Sequence, residues 1–127
     1  MSLCPYRSTS FEGTVIEVVE MDCDASAVVG NNVRVSETIN NFAEVATNNQ
    51  INRPVIGRIL EKITSTECVV QLHGVFDLAL ERGRLYLDTD GTYRINPPAF
   101  GFRQVLGYCY GNGKAHLNPN SIVTKIV

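Results

Sequence analysis

The hydrophobic positions of this chain alternate in short runs, and each run ends on residues suited to turns. Gly13-Thr14-Val15-Ile16-Glu17-Val18-Val19-Glu20 is β-branched and partly alternating, which predicts a strand that Met21 to Ser26 breaks. Ala27-Val28-Val29 leads to the turn signal Gly30-Asn31-Asn32, and Val33-Arg34-Val35-Ser36 then alternates, with Val33 and Val35 on one face. Phe42 to Ala46 predicts another strand whose buried face is open, since Phe42, Glu44 and Ala46 share one side and Ala43 and Val45 the other. After the Asn-rich loop Thr47 to Pro54, Val55 to Ile63 and Cys68 to Leu72 form a hairpin across Thr64-Ser65-Thr66. Gly57 marks a bulge or a close crossing within it.

From Glu67 to Pro119 the same plan continues. The β-forming run Glu67 to His73 stops on Gly74 and resumes as the buried pair Val75-Phe76, and Val75 to Arg82 has room for one helical turn. Residues 84–95 read as a β-hairpin whose Asp90-Gly91 supplies the positive φ of a tight connection. Asn96-Pro97-Pro98-Ala99-Phe100-Gly101-Phe102 is too rich in Pro and Gly for a helix or a central strand. Strands at Arg103 to Tyr110 and Lys114 to Leu117 flank the turn Gly111-Asn112-Gly113. Ser121 to Val127 suits a terminal strand or a partner-binding tail. No segment makes a convincing helix, and short strands at turn-punctuated intervals predict an all-β fold. The expected architecture is a small antiparallel β-barrel or sandwich over residues 13–127, preceded by an extended N-terminal arm over residues 1–12.

A length of 127 residues suits one domain with one core. Hydrophobic residues at 44% and charged residues at 19% describe a globular chain, and a net charge of −2 gives no footprint for a phosphate backbone, so nucleic acid is not an expected partner. No run reaches the length that crosses a bilayer, and Met1 to Arg7 lacks a signal pattern; no membrane partner is expected. Cys4, Cys23, Cys68 and Cys109 are scattered without a C-x-x-C pair, which favours small buried side chains in a reducing cytoplasm over a disulfide framework.

Candidate chemistry is sparse. Asp88-Thr89-Asp90-Gly91 lacks the further oxygen ligands of a calcium loop and reads as a hairpin turn. His73 and His116 have no nucleophile or carboxylate marked for them by spacing, and no G-x-S-x-G elbow exists. No enzyme activity, cofactor or metal is therefore expected. Asp77, Glu81, Arg82 and Arg84 bracket Gly83 with alternating sign, either as a solvated loop or as the polar rim of a subunit contact. Pro97 and Pro98 stiffen the entry to Phe100 and Phe102, which either cap an open barrel end or anchor a partner.

The order of Gly74-Val75-Phe76, Gly83, Leu85-Tyr86-Leu87, Gly91, Pro97-Pro98, Gln104-Val105-Leu106-Gly107 and Leu117-Asn118-Pro119 resembles the small β-barrel proteins that decorate or cement tailed-bacteriophage capsids. The resemblance covers the last half of the chain well and the first half loosely. It implies a structural virion protein on the outer capsid surface, made in the host bacterial cytoplasm, that binds the phage major capsid protein and stabilises contacts between its subunits. It also implies a homo-oligomer, a trimer ahead of a dimer, and an N-terminal arm that orders against a neighbour through Leu3, Pro5, Tyr6 and Phe11, with Arg7 as a charged contact. The alternatives are a head-fibre or tail-associated module and a carbohydrate-binding β-barrel. For the last, the chain has no Trp, and Tyr86, Tyr93, Tyr108 and Tyr110 are the aromatics on offer.

Overall fold

The structure is a computed structural model that describes residues 6–11, 14–46, 54–88, 92–98, 101–120 and 124–126. The described strands are β1 (Tyr6–Phe11), β2 (Thr14–Cys23), β3 (Asn32–Val35), β4 (Phe42–Val45), β5 (Gly57–Thr64), β6 (Glu67–Asp77), β7 (Gly83–Leu87), β8 (Tyr93–Arg94), β9 (Gly101–Arg103), β10 (Val105–Cys109), β11 (Lys114–Leu117) and β12 (Thr124–Ile126). Among the described residues there is no helix, so the fold is all-β as the pattern predicts.

Five strands close a barrel in the order β2-β4-β3-β5-β6 and back to β2. All the pairings are antiparallel except β2 with β4, which run parallel through Asp22↔Phe42 and Cys23↔Ala43. Val19, Met21, Cys23, Val33, Ala43, Ile59, Cys68 and Val70 make one buried cluster of the barrel strands. Ala43 is fully buried while Phe42 is only partly covered, which settles the face of β4. Val33 is fully buried but Val35 is 45% exposed, because β3 ends there; the alternation marked a shared face, not an equal depth. Arg34, between them, is buried and gives its Nε–H to Glu44 Oε1 at 3.0 Å.

The segment expected as an arm is partly a strand. β1 pairs antiparallel with β2 from Tyr6↔Val19 to Phe11↔Thr14, at the edge of the sheet. Leu3 and Pro5 lie outside the described residues.

β6 does not stop at Gly74. It runs on to Asp77, and the helical turn expected over Val75 to Arg82 is instead the end of this strand followed by a loop. Up to His73 the strand pairs with β2, and from Gly74 onward it pairs with β11, through Leu117↔Gly74 to Lys114↔Asp77. β11, β10, β7 and β8 follow in order and make a second, antiparallel sheet. β7 and β8 are the expected 84–95 hairpin, with Tyr86↔Arg94 and Leu87↔Tyr93 in register. Phe76, Leu85, Leu87, Leu106, Cys109, Ala115 and Leu117 cluster beneath this sheet with Ala46 and Val55 from the barrel side. The fully made side-chain bonds of buried Gln104 tie the two parts together: its Oε1 accepts from Val55 N–H at 2.8 Å, and its Nε2 donates to the carbonyls of Val55 at 3.0 Å and Asn120. β12 pairs with β9 as a separate two-stranded ribbon.

Two glycines permit these crossings. A Cβ at Gly57 would stand 2.1 Å from the backbone oxygen of Gln71, so the sequence signal there is a close crossing. Gly74 has φ +120°, and a Cβ on it would stand 2.6 Å from Ile16 Cγ2. The substitution Gly74→Ala therefore combines backbone strain with a clash in a packed site, and urea unfolding is expected to show a loss of about 2–4 kcal/mol.

Cys23, Cys68 and Cys109 are free thiols in the interior. Burial, reinforced by a hydrogen bond with Cys23, pushes the Cys68 thiol up to about 12 from an ordinary 9.0. The folded thiol keeps its proton where the unfolded one releases it, so this contribution is complete below pH 9.0 and is lost as pH rises toward about 12. Urea unfolding measured across that range should show a shallower alkaline decline for Cys68→Ala than for the parent chain.

Candidate functional site

The outer face of the second sheet gathers the exposed aromatic and cationic side chains. The register shift between Val105 and Gly107 interrupts the alternation of β10, so that Leu106 and Cys109 are both buried while Tyr108 is exposed. In register, Tyr108 stands opposite Arg84 of β7 on one side and His116 of β11 on the other, and His116 stands opposite Val75 of β6. One row across four strands thus reads Arg84, Tyr108, His116, Val75. Beyond its end lies Tyr110, whose N–H donates to the Lys114 carbonyl at 3.0 Å, and Lys114 is opposite Asp77.

Tyr108 and Tyr110 are 45% and 52% exposed, with ring centroids 5.8 Å apart and planes inclined at 53°. That is the tilted geometry aromatic pairs prefer, and here it is presented to solvent. The turn Gly111-Asn112-Gly113 closes tightly beside Arg82: Gly111 has φ +85°, and a Cβ on it would stand 3.2 Å from the Arg82 backbone nitrogen. Asn112 Oδ1 accepts the Lys114 N–H at 3.2 Å, which fixes the turn from within. Lys114 Nζ and Asp77 Oδ1 form an exposed ion pair at 2.5 Å, leaving Arg82 and Arg84 as the cations beside the tyrosines. Arg82 and Arg84 are both exposed.

Of the residues the sequence singles out, the structure brings Arg82 and Arg84 to this face. Pro97 is exposed and Pro98 buried in the segment between β8 and β9. Phe102 lies on β9 opposite Lys125, Tyr6, Arg7 and Phe11 lie on β1, and Phe100 falls outside the described residues. The sequence offers Tyr108 among the aromatics for a sugar and His116 as an ordinary strand residue, but it does not show that they share a row with Arg84. Strand pairing alone decides that adjacency, and the residues are separated by a loop and a turn in the chain. Tyr86, by contrast, is buried, and Tyr93 is largely so.

Elsewhere the polar chemistry is structural. His73 Nδ1 and Glu17 Oε1 pair at 2.5 Å across β2 and β6, where their register shifts. A shallow cleft of 240 Å³ is lined by Glu20, Asp22 and Glu67 beside Ile63 and Cys68. Among the described residues, no group of three His, Cys, Asp or Glu is placed to hold a metal ion. No protein-family model, curated protein or solved structure matches the chain.

Because Tyr108 and Tyr110 project from the sheet and fill no core, their replacement leaves the fold in place. The double substitution Tyr108→Ser, Tyr110→Ser is expected to change the unfolding free energy by about 1 kcal/mol or less, read from urea midpoints at constant slope.

Proposed function

We propose that this chain is a non-catalytic structural module that binds the outside of a tailed-bacteriophage capsid and stabilises contacts between major capsid protein subunits. The observation that carries this reading is the exposed Tyr108–Tyr110 pair flanked by Arg82 and Arg84 on a rigid sheet face. Tyrosine and arginine are the residue types that concentrate binding energy at protein interfaces, and a hydrogen-bonded sheet holds them at little cost in ordering. The motif order from Gly74 to Pro119 points to the same class of partner.

The proposed mechanism is mechanical. A protein that binds only the assembled shell stabilises it by mass action, and many equivalent sites repeat that gain over the surface. Self-association into a trimer would multiply the contacts further, and the edge strand β1 is one place where such association can cover open backbone groups. In this reading the protein is made in the host bacterial cytoplasm and ends on the virion surface.

A second reading is favoured by the same tyrosines: an exposed aromatic pair is also a platform for a sugar ring, and would make the module a carbohydrate binder. Co-sedimentation with expanded, undecorated phage shells separates the two. Saturable binding with many copies per shell and a raised shell melting temperature is the expected result, with at least a tenfold loss, on the order of 1.4 kcal/mol, for Arg84→Glu combined with Tyr108→Ala. Binding to a glycan array with no binding to any shell would replace the first reading with the second.

A further inference from the structure

The cleft where the barrel meets the second sheet lies apart from the tyrosine face, and its polar floor is incomplete. It has a volume of 440 Å³, within the range of small-molecule sites. One wall is the β2–β3 turn with Val28 and Val29, 58% and 54% exposed; the other is Leu78 and Leu80 beyond the end of β6. The valine tip is braced from below. Asn31 Oδ1 accepts the Val28 N–H at 2.9 Å, and Lys62 Nζ donates to the carbonyls of Asp24 at 3.2 Å and Ala27 at 2.7 Å. These exposed apolar side chains are therefore held in place.

Arg58, Phe76 and Tyr93 form the floor. The Arg58 guanidinium lies 4.7 Å above the Phe76 ring, which packs on Tyr93 with centroids 5.3 Å apart. One Arg58 N–H donates to Gln71 Oε1 at 3.1 Å, but its Nε is a buried atom with no hydrogen-bond partner, while the Tyr93 hydroxyl interacts with Arg58 and Asn32. The other described arginines that are not exposed have carboxylates: Arg34 has Glu44, and Arg94 has Asp88 at 3.8 Å. Arg58 has none among the described residues. The carboxylate in the cleft wall, Asp77, is engaged by Lys114. Burial raises the Tyr93 hydroxyl well above its usual range, with the Arg58 charge and hydrogen bonds to Arg58 and Asn32 partly opposing, so the hydroxyl keeps its proton. A half-buried cation without a counter-charge carries a desolvation cost that an anionic acceptor offsets.

We propose that this cleft binds a small apolar carboxylate, with its hydrocarbon body between the Val28–Val29 tip and Leu78–Leu80 and its carboxylate paired with Arg58. The walls select an apolar body, and the floor selects a single negative group. Its lining includes none of Arg82, Arg84, Tyr108 and Tyr110, so it stands or falls independently of shell binding.

The test is an NMR titration of the full chain with hydrocinnamate and, separately, with its neutral amide. The acid is expected to bind about tenfold more tightly than the amide, the worth of a charge-assisted hydrogen bond, and to shift the methyl signals of Val28, Val29, Leu78 and Leu80. Arg58→Met, which keeps an apolar stem of similar reach, should abolish the preference for the acid. Should Arg58→Met fail to fold, Arg58→Gln keeps a polar end without the charge and should bring acid and amide to equal affinity. Equal binding of acid and amide, methyl shifts confined to other parts of the chain, or no binding at millimolar concentration would overturn the proposal.

Discussion

One strand has to serve two sheets, and that requirement organises this molecule. β6 pairs with β2 and β5 while it closes the barrel, then with β11 when it opens the second sheet. The change of partner falls at Gly74, with φ +120° and Ile16 packed where a Cβ would be. A side chain at that position would push β2 and β6 apart at the point where the barrel is sealed. The buried amide of Gln71 bridges the same bend, since its Nε2 reaches the carbonyls of His73 at 3.4 Å and Val75 at 3.3 Å. A strand that turns out of one ladder into another leaves carbonyls that need donors, and this side chain supplies them.

Buried polar groups elsewhere follow the same logic. Gln104 fastens the entry to β5 onto the second sheet with bonds to both the N–H and the C=O of Val55, as a strand would. Arg34 is buried with its carboxylate partner on the neighbouring strand. Such groups add little net stability when satisfied and cost much when half-satisfied, which makes them good determinants of a single arrangement. Arg58 departs from this rule, and it does so in a cleft with apolar walls.

The two surfaces that invite partners differ in kind. The tyrosine face is a flat sheet surface on which strand register sets Arg84, Tyr108 and His116 side by side, suited to a broad contact. The cleft at the joint is concave and has the size of a small-molecule site. Both are held by the rigid part of the fold: one by the antiparallel ladder, the other by the pinned Val28–Val29 turn and the floor beneath it.

The sequence by itself determined the class of the fold and most of its strands. Alternation and turn residues are local properties, so the β5–β6 and β7–β8 hairpins and the Gly111-Asn112-Gly113 turn could all be read from neighbouring residues, while at Gly57 the choice between a bulge and a close crossing needed the strand that lies against it. The buried free cysteines were legible too, from their scatter along the chain. Continuity of β6 through Gly74 was not, because a glycine signals a break wherever the chain cannot show what lies against it. The depth of Val35, the parallel pairing of β2 with β4 and the burial of Tyr86 depend on which strands meet and where each one ends. The same holds for the candidate sites. Arg82 and Arg84 stood out as charged residues around a glycine, but their tyrosine neighbours come from another strand, and it is the tertiary structure that brings Arg58 no carboxylate among the described residues. Local pattern fixes what each segment is; long-range pairing decides what each side chain faces.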